Sequence, residues 1–212
     1  MSFEIAVMRP GYSVIAGDTQ LNDDNGETPI KGIKVFAVDN STVVGFTGNY
    51  KEGRHVMDKF LSMYDVKKEF DEKALLLSGI LKGYCKKGNV ILVETKLGKT
   101  QYAIYSDDFG WGCRKKTVTQ PEVIPLLPPG FPEKEGYEFD SSSNYRHQAI
   151  DSVKWVSQRS KFVNGIVYGT EMDGQTVSHF TDGIDILDVI RTKGLWIKVA
   201  GRIVAYDVDK LQ

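Results

Sequence analysis

The order of strand-like and helix-like segments predicts an α+β fold in which antiparallel sheets are stacked and covered by helices. Hairpins and helices follow one another in blocks: four strands, two helices, further strands, a helix, and strands again. The chain shows no internal repeat and no boundary that would separate two cores. Its 212 residues are enough for one sizeable core, so we expect a single domain over residues 1–212.

Composition and charge exclude several classes of partner. The 27 basic and 28 acidic residues give a net charge of −1, so nothing in the charge favours a nucleic acid or an anionic membrane. No apolar run approaches the roughly 20 residues of a membrane span, and the N-terminus lacks the apolar core of a signal peptide. Cys85 and Cys113 are too few for a disulfide scaffold. We therefore expect a cytoplasmic protein with no nucleic-acid and no membrane partner.

Strand patterns fill most of the first fifty residues. Arg9–Tyr12 has the composition of a turn between two strands, and Asp18 closes the second of them. The polar, turn-rich stretch Leu21–Pro29 predicts a solvated loop, and the fourth strand runs into Gly48. The four strands are predicted at residues 3–7, 13–17, 33–38 and 42–47.

Helical spacing follows, and then strands return. Five of the seven prolines fall between Pro121 and Pro132, which predicts an irregular segment over about residues 120–144. The other predictions follow from hydrophobic periodicity and its stop signals. They are helices around residues 56–64, from about 71 to 86, and at 145–157 and 184–190, with strands at 90–94, 101–105, 165–170, 176–180, 195–199 and 202–207.

Four residues at or near the ends of strand-like runs form the candidate catalytic group. Ser2, Asp18, Lys34 and Gly48 are separated by 16, 16 and 14 positions. Removal of Met1 would leave Ser2 with a free α-amino group and a hydroxyl on one residue. We expect the four residues to meet at one site.

The opening of the chain resembles a proteasome β-type subunit, within the N-terminal nucleophile hydrolases. The matching residues are Val14–Thr19 (VIAGDT), Lys34-Val35 and Gly45–Gly48 (GFTG). The intervals from Ser2 agree without a gap with those of the family's nucleophile, aspartate, lysine and oxyanion-hole glycine. The resemblance implies a four-layer αββα sandwich of two antiparallel sheets flanked by helices. Element order is similar over nearly the whole chain, although the motifs are confined to residues 2–60.

The resemblance also implies a chemistry. The amine of Ser2 would take the proton of the Ser2 hydroxyl, which then attacks an amide carbonyl. Lys34 would lower the pKa of that amine by charge repulsion, and Asp18 would hold Lys34 in place. The Gly48 N–H would stabilise the oxyanion. Leu21 and Phe46 are the candidate substrate-binding residues, and Phe46 would make the pocket shallow.

Several features depart from the family pattern. The family usually has threonine where this chain has Ser2, and Gly11 lies one residue nearer to the nucleophile than usual. The Gly-Ser-Gly stretch before the third helix is not visible, with Ser141–Ser143 as the nearest candidate. After that helix, Ser160–Gly165 lacks the carboxylate and hydroxyl that would support the site. A retained Met1 would cap Ser2 and remove the base.

Three functions are compatible with these patterns. The leading one is hydrolysis of a peptide or other amide bond on Ser2, in a homo-oligomeric ring or stacked rings. The resemblance implies no metal and no organic cofactor, and a closed chamber would imply an ATP-dependent unfoldase as partner. The second is an inactive structural or assembly subunit with the same fold. The third is a small-molecule amide hydrolase acting as a monomer or dimer.

Overall fold

Two five-stranded antiparallel sheets form the centre of the protein. The computed structural model describes residues 2–23, 26–128, 131, 144–183, 196–199 and 202–205. The helices are α1 (Tyr50–Met63), α2 (Phe70–Tyr84) and α3 (Tyr145–Ser157), with a 3₁₀ turn at Asp107–Phe109. The strands are β1 (Glu4–Arg9), β2 (Tyr12–Asp18), β3 (Gln20–Asp23), β4 (Gly26–Lys31), β5 (Val35–Ala37), β6 (Thr42–Gly48), β7 (Gly88–Lys96), β8 (Lys99–Ser106), β9 (Cys113–Thr117), β10 (Glu122–Leu126), β11 (Val167–Met172), β12 (Val177–Asp182), β13 (Trp196–Val199) and β14 (Arg202–Ala205).

The layers follow the order helix, sheet, sheet, helix. The first sheet has the strand order β10-β1-β2-β11-β12, and α3 packs on its outer face. The second has the order β5-β6-β7-β8-β9 and is covered by α1 and α2. One core, with Met8, Phe60 and Ile91 among its members, fills the space between the sheets and beneath α1 and α2. The other, with Val7 and Val153, lies under α3. The predicted α+β, four-layer αββα fold is confirmed.

Local signals in the sequence explain where the helices begin. The side chain of Asn49 accepts hydrogen bonds from the N–H groups of the first turn of α1, and Asn144 does the same for α3. Glu69 and Glu72 form a capping box at the start of α2. None of the helices in the described residues is long and apolar enough to cross a membrane.

The β1–β2 hairpin sets the position of the N-terminus. Its register pairs Glu4 with Gly17 and Arg9 with Tyr12, and Gly11 in the turn has a φ of +73°. The pairing extends to Phe3, whose carbonyl accepts the N–H of Asp18 at 3.2 Å. Because side chains alternate along a strand, Glu4, Ala6 and Met8 face the second sheet while their neighbours face α3. The chain therefore delivers Ser2 to the end of β1 that lies beside Asp18.

Two predictions about irregular segments are wrong. The solvated loop predicted for Leu21–Pro29 is largely the hairpin of β3 and β4, in which Gln20 pairs with Lys31. Backbone groups pair whatever the side-chain polarity, so a search for hydrophobic alternation overlooks such a hairpin. Within the predicted irregular segment 120–144, Glu122–Leu126 is the strand β10, despite Pro125. This strand is at the edge of its sheet, where one side is unpaired and a proline is tolerated.

Other predictions fall partly outside the structure. Strand β9, whose central residues are basic, pairs with β8 and was absent from the predicted elements. The third helix is confirmed at Tyr145–Ser157. The short helix predicted at 184–190, the serines at 141–143 and residues 129–130 and 132–140 of the proline-rich segment lie outside the described residues.

Candidate active site

Asp18, at the end of β2, anchors the candidate site. Its Oδ1 accepts the N–H of Phe3 at 2.8 Å. Its Oδ2 accepts the N–H of Gln20 and the Nζ of Lys34, each at 2.9 Å. The ion pair is buried, with the Lys34 side chain 5% exposed and that of Asp18 0% exposed. Asp18 thus fixes both the chain next to Ser2 and the direction of Lys34.

The Lys34 side chain lines a small cleft together with Ser2. Five of the six residues predicted for the site face this cleft, and Asp18 contacts it through Lys34. Its free volume is about 20 Å³, which is room for a water molecule but not for a large substrate side chain. The lining residues are Ser2, Gln20, Leu21, Lys34, Phe46, Gly48 and Tyr50.

Ser2 is buried beside Lys34, with 2% of its surface exposed. Within the described part of the chain, its Oγ has no hydrogen-bond partner. In the full chain its nitrogen forms the peptide bond to Met1. Buried hydroxyls are nearly always hydrogen-bonded, so an unpaired one inside a cleft is suited to react with a ligand or to bind a water.

Gly48 occupies a backbone conformation that only glycine adopts readily. Its φ is +128°, and a Cβ there would lie 2.5 Å from the carbonyl oxygen of Lys87. It pairs with Gly88, whose φ is +144°. Two glycines therefore allow the end of β6 to approach the start of β7 closely, and this approach fixes the wall of the cleft.

Phe46 packs beneath α1 at the side of the cleft. A Cβ on Gly53 would lie 2.3 Å from the Phe46 ring, so the ring rests against the helix backbone. Leu21 similarly contacts Gly32, where a Cβ would lie 2.7 Å from the Leu21 side chain. Both candidate substrate-binding side chains therefore pack directly against the backbone of a glycine.

The loop after α3 supports the site through an amide. The Oδ1 of Asn164 lies 3.3 Å from the N–H of Thr19, which also donates to the carbonyl of Ile166 at 3.2 Å. The Nε2 of Gln20 donates to the carbonyl of Lys161 at 3.1 Å. The loop lacks a carboxylate and a hydroxyl at the positions where the resemblance would place them, and no local sequence pattern indicates that Asn164 contacts Thr19.

Glu4 is the charged residue near the site that sequence analysis overlooked. Its side chain is completely buried, and its Oε1 accepts the N–H of Phe46 at 2.7 Å. Burial raises the pKa of Glu4 well above its usual 4.5, against the smaller opposing effects of the Phe46 N–H and of Lys34. A glutamate inside the apolar run Phe3–Val7 is the signal that could have identified it. Gln20, Tyr50 and Asn164 carry no comparable signal.

Comparison with known proteins supports the fold. No protein-family model and no curated protein sequence matches the chain. The structure is similar to Anbu (ancestral beta-subunit) from Yersinia bercovieri, with a TM-score of 0.67 over 85% of this chain and 88% of that chain. The chain has a proteasome-like fold. The two sequences are 11% identical, so the likeness extends to the fold and not to the chemistry.

Proposed function

We propose that the protein is an N-terminal nucleophile hydrolase that cleaves a peptide or other amide bond through an acyl-enzyme on Ser2, once Met1 is removed. One observation carries the proposal: the Ser2 side chain lines the same cleft as Lys34 and Gly48, and Lys34 is hydrogen-bonded to Asp18. A nucleophile, a buried cation and a glycine at a strand end are the groups that this chemistry uses.

In the proposed reaction the base and the nucleophile belong to one residue. The neutral amine of Ser2 takes the Oγ proton as Oγ bonds to the amide carbon, and the carbonyl electrons move to oxygen. The N–H of Gly48 stabilises that oxyanion. The C–N bond then breaks, the amine returns its proton to the leaving nitrogen, and an ester remains on Ser2. Water, deprotonated by the same amine, releases the acid and restores the enzyme.

Lys34 would keep the amine neutral. An α-amino group ordinarily has a pKa near 8, so part of it is protonated and inactive at neutral pH. A nearby ammonium disfavours a second positive charge and lowers that pKa. Asp18 donates no proton in this scheme; it fixes Lys34 by a 2.9 Å hydrogen bond.

The decisive experiment compares serine variants of a chain produced with Ser2 as its first residue, released from a cleavable N-terminal fusion. Hydrolysis of fluorogenic peptidyl amides should fall to the uncatalysed rate in S2A and persist in S2T, because threonine keeps the amine and the hydroxyl. S13A is the matched control, since Ser13 is also buried but bonds to Thr95 far along the hairpin. No hydrolysis by the chain that begins at Ser2, or equal rates in S2A, would disprove the proposal.

A second candidate, an inactive assembly subunit, is favoured by the size of the cleft. A free volume of about 20 Å³ leaves no space for a large side chain next to Ser2. Intact-mass measurement of the natively produced protein distinguishes the two functions. Loss of Met1 supports hydrolysis, whereas a retained Met1 leaves Ser2 without its base and supports the assembly role.

Self-assembly into a ring or stacked rings is part of the proposal. Four large apolar side chains on and between α1 and α2 are about half exposed or more: Met63, Val66, Leu75 and Tyr84. Such a surface is suited to an interface between copies. Native mass spectrometry should show a large homo-oligomer that L75E dissociates; a monomer or dimer would favour the small-molecule hydrolase. A closed ring would work with an ATP-dependent unfoldase, and the free thiols of Cys85 and Cys113 suit the cytoplasm.

A further inference from the structure

Glu4 lies between the two sheets, in an apolar core where a carboxyl group is unusual. It is the second residue after Ser2, and its side chain points from β1 toward the second sheet with none of its surface exposed. Burying an ionised carboxylate in an apolar core is costly unless it is fully paired. The neighbours along this face of β1 are Ala6 and Met8, so an apolar residue would be the ordinary choice.

The surroundings of Glu4 are shaped to admit its carboxyl group. A Cβ on Gly17, its partner on β2, would lie 2.9 Å from the Cγ of Glu4. A Cβ on Gly45, across the interface on β6, would lie 2.4 Å from its Oε2. Glycines on two different strands, one in each sheet, thus leave the space that this side chain fills.

The Glu4 carboxyl group is also joined to the backbone that carries Lys34. The N–H of Phe46 donates to Glu4 Oε1 at 2.7 Å and to the carbonyl of Lys34 at 3.0 Å. Glu4 therefore helps to hold the backbone contact between Phe46 and Lys34, from which the Lys34 side chain extends to the cleft. Within the described residues, Lys34 and Asp18 are the charged groups that act on Glu4, and the strands packed against it there present Gly17, Gly45, Phe46 and Ile91.

One oxygen of Glu4 is unpaired, as is the hydroxyl of Ser2. Neither Glu4 Oε2 nor Ser2 Oγ has a hydrogen-bond partner among the described residues. The two residues are two positions apart at the start of β1, so their side chains leave the same side of the sheet. Asp18, by contrast, has both of its carboxylate oxygens hydrogen-bonded.

We propose that Glu4 is a positioning residue of the Ser2 site, which acts with Lys34 to set the pH range in which the Ser2 amine is a neutral base. The inference rests on the proposed function. While Glu4 is uncharged, the positive charge of Lys34 is offset by Asp18 alone. When Glu4 ionises, it offsets more of that charge, so the amine holds its proton more tightly and fewer molecules are active.

Burial brings the titration of Glu4 toward that of the amine. It raises the pKa of Glu4 well above 4.5, while an α-amino group beside Lys34 has a pKa below its usual value near 8. Two groups that titrate in neighbouring ranges and act on each other have shared apparent pKa values. Each should therefore change the titration of the other.

The first test uses E4Q, which keeps the shape of the side chain and removes its charge. In the chain that begins at Ser2, the ascending limb of kcat/KM against pH should move to lower pH by about half a unit or more, a roughly threefold gain on that limb. E171Q is the control, because Glu171 bonds to Tyr12 at the other end of the hairpin. An unmoved limb in E4Q would disprove the inference while leaving hydrolysis on Ser2 intact.

The second test needs no catalysis and no variant of Glu4. Carboxyl ¹³C NMR of the otherwise unchanged protein should show Glu4 titrating well above pH 4.5. Its midpoint should be higher when Met1 is retained, because the positive amine that favours the ionised carboxylate is then one residue farther along the chain from Glu4. Equal midpoints in the two forms would disprove the inference even if no substrate is hydrolysed.

Discussion

Two buried lysine–carboxylate pairs in the described part of the chain differ in their surroundings. Lys34 bonds to Asp18 beside the cleft, and Lys73 of α2 bonds to Glu94 of β7 beneath the helices. Both lysine side chains are almost fully buried, at 5% and 2% exposure. Asp18 also accepts two backbone N–H groups, whereas Glu94 has, among the described residues, only the Thr42 hydroxyl in addition, at 3.5 Å.

The difference shows that a buried ion pair is not by itself a functional site. Lys73 is covered by the ring of Tyr64, whose centroid lies 5.4 Å from its Nζ, and the hydroxyls of Tyr64 and Thr42 beside this pair are hydrogen-bonded. Each lysine has a second carboxyl group nearby, Asp39 for Lys73 and Glu4 for Lys34, but Lys34 faces a cleft with an unpaired hydroxyl. The same two charges therefore lie inside a core in one place and beside a cleft with an unpaired hydroxyl in the other.

Replacing each lysine with methionine gives the largest expected effects. K34M should reduce hydrolysis at least about 100-fold, because most of the Ser2 amine would be protonated at neutral pH and Asp18, which holds the chain next to Ser2, would be left buried without its cation. K73M should lower the free energy of unfolding by about 3–5 kcal/mol, since Glu94 would be left buried without its partner. K34M should cost less stability than K73M, because Asp18 keeps the N–H groups of Phe3 and Gln20.

Urea unfolding and the rate per folded molecule, measured on both variants, separate the two roles. Hydrolysis by K73M should equal that of the unchanged protein once the folded fraction is corrected for. If K73M lost hydrolysis as K34M does, or if K34M hydrolysed normally, the contrast between the two pairs would be wrong.

A second comparison sets Gly48, at the wall of the cleft, against a glycine elsewhere in the structure. G48A should lower kcat/KM by roughly 10²–10³, because the Cβ would press on the Lys87 carbonyl and displace the proposed oxyanion donor. G79A is the control, since Gly79 lies in α2 with open space around it. That change should leave hydrolysis unaltered and slightly stabilise the helix. Normal hydrolysis by G48A would remove Gly48 from the site.

Much of the fold was accessible from the sequence, and the candidate site only in part. Ser2, Asp18, Lys34 and Gly48 lie at or near the ends of predicted strands, and their spacing along the chain can be read from a single sequence. The contacts of Glu4 are not local, because they depend on Gly45 of the opposite sheet. Asn164 reaches Thr19 from 145 residues away along the chain, a distance that no periodicity spans.

The Phe46 side chain tests whether the cleft beside Lys34 selects substrates. F46V should raise the hydrolysis of amides with a large side chain relative to a small one by about tenfold, because the shorter residue leaves space under α1. F60V is the control: Phe60 lies on the buried face of α1 but does not line the cleft. It should lose stability with an unchanged preference. The same preference in F46V would place the substrate side chain elsewhere.

The smallest effect concerns Glu4, the second carboxyl group near Lys34. Burial raises its pKa in the folded protein, so the folded chain binds this proton more tightly than the unfolded chain does. The resulting stability is fully present below about pH 4.5 and is lost as the pH rises through the folded-state pKa. E4Q has no such titration. Between about pH 4.5 and the folded-state pKa of Glu4, the free energy of unfolding of E4Q should therefore rise relative to that of the unchanged protein, by up to about 1.4 kcal/mol per pH unit.

Urea unfolding midpoints from pH 4 to pH 8 measure this difference in stability, with E171Q as the matched variant. A difference that stays constant with pH would mean that Glu4 is ionised throughout, and that the space between Gly17 and Gly45 holds a permanent charge.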